Sequence, residues 1–333
     1  MRVLRRLLYL MVLGAAGFAA LTYLFATRPV ALKASPLDFE IVSGVGLRGA
    51  ARQMVDAGID MPAWQFTWLG RMLGKAAQIK AGSYEVEAGV TPWQLLQKLT
   101  LGDISQGELA LIEGKTFADF RQEVDKHPDI RHDSVGMSNA ELLARLGIDE
   151  PHPEGLFFPD TYLFSKNASD LDIYRRAHLA LSRRLDTEWN NRAKDLPYRS
   201  PYEALIMASI IEKETGLATD REQVAGVFVN RLRSGMLLQT DPTVIYGLRQ
   251  FDGYLRKKDL QADSPYNTYL RPGLPPTPIA LPGPAALHAA LHPASSDMYY
   301  FVARGDGSSV FSRTLEEHNR AVAHYQKRKG GSG

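Results

Sequence analysis

The sequence contains no cysteine, and this absence excludes several kinds of chemistry at once. Without thiols the chain can form no disulfide, no cysteine nucleophile and no cysteine-ligated zinc site. Attachment to a membrane through a lipidated cysteine is excluded for the same reason. Any folded domain of this chain must therefore be stabilised by its hydrophobic core.

A strong net charge of either sign is also missing. The 333 residues carry a formal net charge of +2, with 45% hydrophobic and 23% charged residues. This balance is ordinary for a folded protein and argues against a nucleic-acid partner. Because the length exceeds that of a single typical core, we expect two domains.

One long hydrophobic run is present near the start of the chain. Residues Leu7 to Ala26 carry no charge, and at about 1.5 Å per residue they span roughly 30 Å, the thickness of a bilayer core. Three arginines precede the run and only Arg28 closely follows it, so the positive-inside rule predicts a cytoplasmic N-terminus and an extracytoplasmic remainder. A cleaved signal peptide is the alternative. Both interpretations place the bulk of the chain outside the cytoplasmic membrane.

The stretch PYEALIMASIIEKETG, from Pro201 to Gly216, is predicted as one helix, with Gly216 as a left-handed cap. Glu212 and Glu214 lie near its end and point about 200° apart on a helix. Glu214 follows two isoleucines by one turn, so we expect it against apolar surroundings, with Glu212 as its solvent-facing neighbour. Burial would raise the pKa of Glu214 and make it a general acid at neutral pH. The alternative is an ordinary surface glutamate at a helix end.

Between the membrane segment and residue 106, the pattern of strand, turn and helix occurs twice. Residues 27–36 are predicted as a linker, followed by the strand LDFEIV and the helix LRGAARQMVDAGI. A strand at Tyr84 to Glu87 then precedes a helix opened by Thr91 and Pro92. This arrangement resembles a LysM-like module, a small fold associated with peptidoglycan binding. Glycan binding and a purely structural role are equally consistent with it.

Further elements are predicted along the rest of the chain. A strand ELALIEG leads to a helix from Lys115, and a capped helix follows Ser138. Long helices are expected at 170–191 and 220–232, and the chain closes with a hairpin, an amphipathic helix and a disordered glycine-rich tail.

Three stretches combine aromatic and polar residues. EGLFFPDTYLF begins with Glu154, and aromatic faces with acidic acceptors suit sugar rings, although a buried loop has the same composition. LLQTDPTVIYG contains polar residues that could cap a helix or line a cleft. The proline-rich stretch after Ser264 predicts an ordered loop, and such loops often line sites. The polar residues that these last two stretches place next to each other are Gln239, Thr240 and Asp241 in the first, and Tyr266, Asn267, Thr268 and Tyr269 in the second.

His288 and His292 have the i, i+4 spacing of a metal-binding pair. No HExxH pattern accompanies them, and Pro293 ends the helix directly. We therefore favour a structural role for both histidines and expect no metal site.

The motifs EGLFFPDTY, ASIIEKETG, VAGVFVNRL, LQTDPTVIYG, YNTY and YYFVA occur in this order. Together they closely resemble the MltG/YceG family of membrane-anchored endolytic murein transglycosylases, over nearly the whole chain beyond the linker. The resemblance implies an α+β fold with a membrane anchor helix, a LysM-like module and a larger mixed α/β catalytic domain with a lysozyme-like helix carrying the acid. The expected segments are a cytoplasmic N-terminus at 1–6, the membrane helix at 7–26, the linker at 27–36, the module at 37–106, the catalytic domain at 107–328 and the tail at 329–333.

The resemblance also implies an activity, which is cleavage of the β-1,4 bond between N-acetylmuramic acid and N-acetylglucosamine in nascent peptidoglycan, leaving 1,6-anhydro ends. The second glutamate of EKET, here Glu214, would be the only acid and base, because the muramoyl C6 hydroxyl is an intramolecular nucleophile. No cofactor is expected, and a role beside peptidoglycan synthases and division proteins, limiting strand elongation, is implied. The candidate substrate-binding residues are Glu154, Gln239, Thr240, Asp241, Tyr246, Tyr266, Asn267 and Thr268.

Other functions are compatible with parts of the sequence. A non-catalytic, membrane-anchored scaffold could bind peptidoglycan through the LysM-like module. A metal-dependent hydrolase would use His288 and His292. If Glu154 or Asp241 lay within about 6 to 10 Å of Glu214, an inverting or retaining hydrolase would become a further alternative.

Overall fold

The computed structural model describes residues 2–214, 216–248 and 250–325. The chain divides into two units, of which one comprises Met1–Glu108 with Leu163–Ala168 and the other comprises Leu109–Tyr162 with Ser169–Gly333. Both units contain helices and short strands, which confirms the predicted α+β class. The predicted tail at 329–333 lies outside the described residues.

The first unit begins with a long apolar helix, as the sequence predicts. Its segment Arg5–Thr27 has a mean hydropathy of 1.9 and is long enough to cross a membrane. The elements that the first unit contributes before the chain enters the second are α1 (Arg2–Thr27), β1 (Ala31–Leu32), β2 (Leu37–Ile41), α2 (Leu47–Ala57), β3 (Ile59–Asp60), α3 (Ala63–Met72), β4 (Gly82–Val86) and α4 (Pro92–Leu101).

Pairing of β2 with β4 forms the centre of the first unit. The two strands are antiparallel, with Phe39 opposite Tyr84 and the two rings stacked at a centroid distance of 5.5 Å. Alternate residues of β2 are buried against the helices, as expected for a strand with one face on a core. The predicted start of α4 is also observed, since Thr91 and Gln94 form a capping box.

Residues 27–36 were predicted as a linker, but they contain β1, which pairs with β3. The backbone N–H of Lys33 also donates to the carbonyl of Gly58 at 2.9 Å. A strand of two residues has no readable periodicity, so sequence patterning could not reveal it. This segment is therefore part of the folded unit.

The chain passes between the units within β5 (Gln106–Ala110) and β7 (Thr161–Ser165), which pair with each other. The remaining elements are α5 (Phe117–Lys126), β6 (Ile130–Arg131), α6 (Asn139–Leu146), β8 (Ala168–Ser169), α7 (Asp170–Asn190), α8 (Pro201–Glu214), a 3-10 turn (Ala218–Asp220), α9 (Arg221–Arg233), α10 (Asp241–Gly247), α11 (Lys257–Leu260), α12 (Pro284–Leu291), β9 (Tyr300–Ala303), β10 (Ser309–Ser312) and α13 (Leu315–Tyr325).

Two predicted boundaries in the second unit are wrong. The strand predicted at 108–114 ends at Ala110, and α5 begins at Phe117 instead of Lys115. The physical reason for the later start is local, because the Thr116 hydroxyl accepts the backbone N–H of Asp119 and the Asp119 carboxylate accepts that of Thr116. This capping box fixes Thr116 outside the helix.

The helix α8 passes through the core of the second unit. Every residue from Ala204 to Ile211 is buried, and α8 packs against α12. The predicted contrast between an apolar and a solvent-facing side is therefore wrong, because this helix is enclosed on all sides over two turns. The predicted cap at Gly216 depends on residue 215, which lies outside the described residues.

Glu212 also differs from the prediction of a solvent-facing neighbour. Its side chain is half-buried, and its Oε2 accepts the backbone N–H of Gly283 at 2.9 Å. Burial raises the pKa of Glu212, and the nearby Glu113 carboxylate acts in the same direction. The Glu212 carboxylate therefore holds Gly283, the residue that precedes α12, through a hydrogen bond.

Candidate active site

Glu214 is the last residue of α8, and its carboxyl group is surrounded mainly by protein atoms. Its Oε1 accepts a hydrogen bond from the Thr240 hydroxyl. Burial raises the pKa of Glu214 to about 7, with the neighbouring Asp241 carboxylate acting in the same direction, whereas the Thr240 bond and the Arg231 cation oppose it. A carboxyl with this pKa can donate and accept a proton near neutral pH.

A cavity of about 580 Å³, here called the acid cavity, lies beside Glu214. It is lined by both apolar and polar side chains, with Gln239 and Asp241 exposed at the surface. The Tyr269 hydroxyl donates to Oδ1 of Asp241 at 2.6 Å. The cavity has the volume of a typical small-ligand site, so Glu214 can meet a substrate there.

Three predicted residues lie beside Glu214, namely Gln239, Thr240 and Asp241. Asp241 lines the acid cavity, and the other two have different roles. Thr240 is buried and immediately precedes α10, where the sequence suggested a capping role. Its hydroxyl forms no cap and is directed to Glu214 instead. Gln239 adopts a φ of 51°, which is uncommon for a residue other than glycine, and its N–H donates to the Thr268 carbonyl at 3.1 Å.

Asn267 and Thr268 lie behind the acid cavity. The Asn267 amide donates to the carbonyls of Leu260 and Ala262 at 3.0 and 2.8 Å, and its oxygen accepts the N–H of Tyr269 at 3.0 Å. The Thr268 hydroxyl accepts the N–H of Thr240 at 3.1 Å. These two buried side chains hold the loop and Thr240 in position.

Arg231 is a functional candidate that the sequence analysis missed. It is only 8% exposed, and its guanidinium donates to the carbonyls of Tyr299, Leu237 and Leu238 at 2.7, 3.2 and 2.9 Å. It lines the acid cavity and favours the ionised form of Glu214. An arginine within the apolar sequence VFVNRL was the available signal.

A second cavity, of about 710 Å³, contains Glu154 and is here called the Glu154 cavity. Glu154 is 3% exposed and accepts the N–H of Phe117 at 2.8 Å and the hydroxyl of Tyr246 at 3.0 Å. The Tyr246 ring packs at 4.9 Å from that of Tyr266, whose hydroxyl lies 2.9 Å from that of Thr277. Burial raises the pKa of Glu154 to about 7.

The short helix α10 contributes to both cavities. Its first residue, Asp241, lines the acid cavity, whereas Pro242, Ile245 and Tyr246 line the Glu154 cavity. Glu154, Tyr246, Tyr266, Gln239 and Asp241 were predicted as one group of binding residues. Glu154 and Tyr246 line one cavity and Gln239 and Asp241 line the other, whereas Tyr266 packs against the Tyr246 ring.

His288 and His292 both contact Glu188. Nδ1 of His288 lies 3.1 Å and Nε2 of His292 lies 3.4 Å from Oε2 of Glu188. The two imidazole rings are stacked, with their centroids 4.3 Å apart. Among the residues that the structure describes, neither histidine lines the acid cavity or the Glu154 cavity. This geometry links α12 to α7, and the ligand atoms of Glu188, His288 and His292 lie within 4.8 Å of one another, a spacing that also suits a metal ion. The structural role therefore stays a prediction.

Glu214 therefore combines a half-buried carboxyl of raised pKa, a hydroxyl donor and an adjoining cavity, which are the components of a candidate general-acid site. A sequence model of the YceG-like family matches residues 39–324. The chain belongs to the YceG-like family, which confirms the resemblance drawn from its motifs.

Relatives support this assignment. The chain is 33% identical over 275 residues to the endolytic murein transglycosylase of Bacillus subtilis, covering 75% of this chain and 74% of that protein. It is 29% identical over 228 residues to the endolytic murein transglycosylase of Streptococcus pneumoniae, covering 66% of this chain and 39% of that protein. A crystal structure of a YceG-like protein from Listeria monocytogenes has a TM-score of 0.55 at 30% identity, over 86% of this chain and 98% of the other.

Proposed function

We propose that this lytic transglycosylase cleaves the β-1,4 bond between N-acetylmuramic acid and N-acetylglucosamine in nascent peptidoglycan, with Glu214 as its only acid and base. The enzyme class follows from the family and from the relatives. The observation that carries the proposal is the protonatable Glu214 carboxyl at the wall of the acid cavity, with a pKa of about 7.

The chemistry needs two proton transfers at one carboxyl group. Neutral Glu214 donates its proton to the glycosidic oxygen as the C1–O bond breaks, and the muramoyl C6 hydroxyl attacks C1. The carboxylate then takes the proton of the C6 hydroxyl, which restores the acid and leaves a 1,6-anhydro end. The Thr240 hydroxyl, which donates to Glu214, stabilises the carboxylate formed between the two transfers.

The predicted binding residues divide into two groups in this proposal. We assign direct contacts with the glycan to Gln239 and Asp241, which are exposed in the acid cavity, and to Glu154 and Tyr246 in the Glu154 cavity. Thr240, Tyr266, Asn267 and Thr268 act by positioning, because they are not among the described residues that line either cavity and their polar atoms bond to neighbouring protein groups.

Hydrolysis is a second candidate, favoured by one observation. The Asp241 carboxylate is close enough to Glu214 to raise its pKa and lines the same cavity. In that position it could act as the base for a water molecule, as inverting glycosidases require.

The mass of the products distinguishes the two reactions. We expect full-length protein, incubated with uncrosslinked peptidoglycan strands, to release fragments with 1,6-anhydro ends, which are lighter by one water than reducing ends. If mass spectrometry finds only reducing ends, the reaction is hydrolysis and the single-residue mechanism is wrong. Endolytic cleavage predicts internal fragments from the earliest time points, whereas exolytic cleavage would release single disaccharides.

Replacement of Thr240 by valine tests the hydroxyl donor. The bond to Thr240 opposes the effect of burial on Glu214, so its loss raises the pKa of the acid further. Because a hydrogen bond to a charged group contributes about 1.5 to 3 kcal/mol, we expect the alkaline limb of the pH–rate profile to move up by about one to two pH units. The matched control is Thr100→Val, which removes a half-buried hydroxyl from the first unit. An unshifted limb in Thr240→Val would refute this role.

Replacement of Glu154 by glutamine tests the second cavity. We expect KM for glycan strands to rise about tenfold, equivalent to about 1.4 kcal/mol of binding, while kcat stays within a few-fold. Tyr246→Phe, which removes the donor to Glu154, is expected to act in the same direction. Glu150→Gln provides a nearby half-exposed control. If Glu154→Gln reduced kcat as strongly as Glu214→Gln, Glu154 would be a proton donor.

We further propose that α1 anchors the protein with its N-terminus in the cytoplasm and the second unit outside the membrane. Arg2, Arg5 and Arg6, at the start of α1, support this orientation. Binding of glycan by the LysM-like first unit, and an association with peptidoglycan synthases or division proteins, remain proposals based on the family resemblance. We expect a protease added to intact spheroplasts to digest the second unit. Protection of that unit from the protease would show that the orientation is the opposite one.

A further inference from the structure

A band of exposed aromatic side chains lies on the first unit, beside α1. Trp64 and Trp68 of α3 are 66% and 54% exposed, and Trp93 of α4 is 37% exposed. Met72 and Leu73 extend the same surface. Clustered apolar residues with this exposure indicate a contact with another apolar phase or partner.

Direct contacts fix where this band lies along α1. The rings of Phe18 and Trp68 pack edge to face, with centroids 5.7 Å apart. Phe18 lies about two helical turns, or about 12 Å, before Ala26, which ends the uncharged run. When α1 crosses a bilayer, Trp68 therefore lies at the depth of the lipid and not in water.

Grooves between α1 and the neighbouring helices have the same character. One of about 270 Å³ is lined by Phe18, Leu21, Phe25, Trp64 and Trp68 among others. Another, of about 510 Å³, is lined almost entirely by apolar groups and opens beside Met72, Leu73 and Trp93. Such grooves on a spanning helix have the chemistry to accept acyl chains.

The charges next to the aromatic band have one sign. From Met61 to Tyr84 the sequence contains Arg71, Lys75 and Lys80 but no aspartate or glutamate. The Lys75 ammonium lies 5.6 Å from the centroid of the Trp93 ring. Tryptophan combined with basic residues is typical of the membrane–water interface, where the rings lie near the headgroups and the cations lie near phosphates.

We infer that the surface formed by Trp64, Trp68, Met72, Leu73 and Trp93, here called the tryptophan face, is inserted into the lipid leaflet that surrounds the C-terminal half of α1. The first unit is then attached to the bilayer by α1 and by the tryptophan face together. Two points of attachment limit its rotation and its distance from the membrane, which a single spanning helix would not do. This inference does not depend on the catalytic proposal.

Fluorescence quenching by lipid tests the inference in the full-length chain. The sequence has four tryptophans, so three Trp→Phe replacements leave single-tryptophan proteins that report on Trp64, Trp68 or Trp93 alone. Each would be reconstituted into phosphatidylcholine vesicles with either ordinary or brominated acyl chains. Equal thermal unfolding of the variants and the parent protein verifies that they are folded.

We expect the emission of Trp64 and Trp68 to lose most of its intensity in brominated lipid and to resist quenching by aqueous iodide. Trp93 should be quenched less by bromine, because it lies beside Lys75 nearer the headgroups. If bromine leaves the emission of Trp64 and Trp68 unchanged, the tryptophan face is not in lipid and the inference is wrong. In that case, quenching by iodide would show that the face is in water, and protection from iodide would show that a second protein copy or another partner covers it.

Discussion

Replacing Glu214 with glutamine is expected to reduce glycan cleavage by at least about 10² to 10⁴, the usual contribution of a general acid. Glutamine keeps the size of the side chain and can still accept the Thr240 hydroxyl, but it has no proton to transfer. The measurement is the rate of appearance of new chain ends with uncrosslinked peptidoglycan at pH 6 to 7.

The matched control is Glu212→Gln, on the same helix. Glu212 is also half-buried and also has a raised pKa, and glutamine can still accept the N–H of Gly283. We expect its activity to stay within a few-fold of the parent protein. Full activity in Glu214→Gln would remove the basis of the proposed mechanism, and a comparable loss in Glu212→Gln would show that the helix end is merely sensitive to substitution. A folded, inactive Glu214→Gln protein that still supported wall synthesis in cells would favour the scaffold alternative.

The same variant has a predicted effect on stability, with a definite sign. The pKa of Glu214 is raised from 4.5 to about 7 in the folded protein, so the folded state holds this proton more tightly than the unfolded state does. The contribution of the Glu214 carboxyl to the free energy of unfolding is therefore fully present below pH 4.5, and it is lost as the pH rises through 7. We therefore expect Glu214→Gln to melt at a higher temperature than the parent protein at pH 8 and at a similar temperature at pH 4. A lower melting temperature at pH 8 would contradict the burial of this carboxyl.

Replacing Arg231 with methionine is expected to destabilise the second unit by about 1 to 3 kcal/mol, the usual cost of leaving buried hydrogen-bond acceptors without a donor. The carbonyls of Tyr299, Leu237 and Leu238 would lose their donor, and methionine can fill only part of the space. Urea unfolding of the full-length protein would measure the change. Where the variant remains folded, its pH–rate profile should also move to higher pH, because the Arg231 cation stabilises the Glu214 carboxylate.

Arg233→Met provides the comparison for this prediction. Arg233 is two residues further along α9, is exposed and donates to the carbonyl of Asp195 at 2.7 Å. Surface substitutions of this kind usually change stability by less than about 0.5 kcal/mol. Equal effects of the two substitutions would mean that the Arg231 hydrogen bonds add little to stability.

Local signals in the sequence were sufficient for many elements. The uncharged run predicted α1, the alternating pattern of LDFEIV predicted β2, and Thr91 with Pro92 predicted the start of α4. These features depend on neighbouring residues only, which is why sequence patterning reveals them. The two-residue strand β1 was missed because it is too short to show a periodicity. The start of α5 was misplaced because its capping signal lies next to the apolar pattern of the preceding residues.

The candidate site shows a clearer division between sequence and structure. Sequence motifs singled out Glu214 and the residues around Asp241, all of which lie within the residues that the family model matches. Helix geometry alone gave a misleading account of Glu212, because it assumed that α8 has a solvent-facing side along its length. In the structure, the packing of α12 and the residues around Gly283 encloses that side.

The sequence by itself determined that this protein has no thiol chemistry, that it carries one apolar segment long enough to cross a membrane, and that the candidate acid, Glu214, lies at the end of an apolar helix within the family motifs. Only the tertiary structure decided that Thr240 donates to Glu214, that Arg231 lines the acid cavity, and that α10 contributes to two cavities. The physical reason is that the pKa of a carboxyl depends on water exclusion and on charges distant in sequence, such as Arg231 and Asp241. Those neighbours are brought to Glu214 by the packing of α8, α9 and α10.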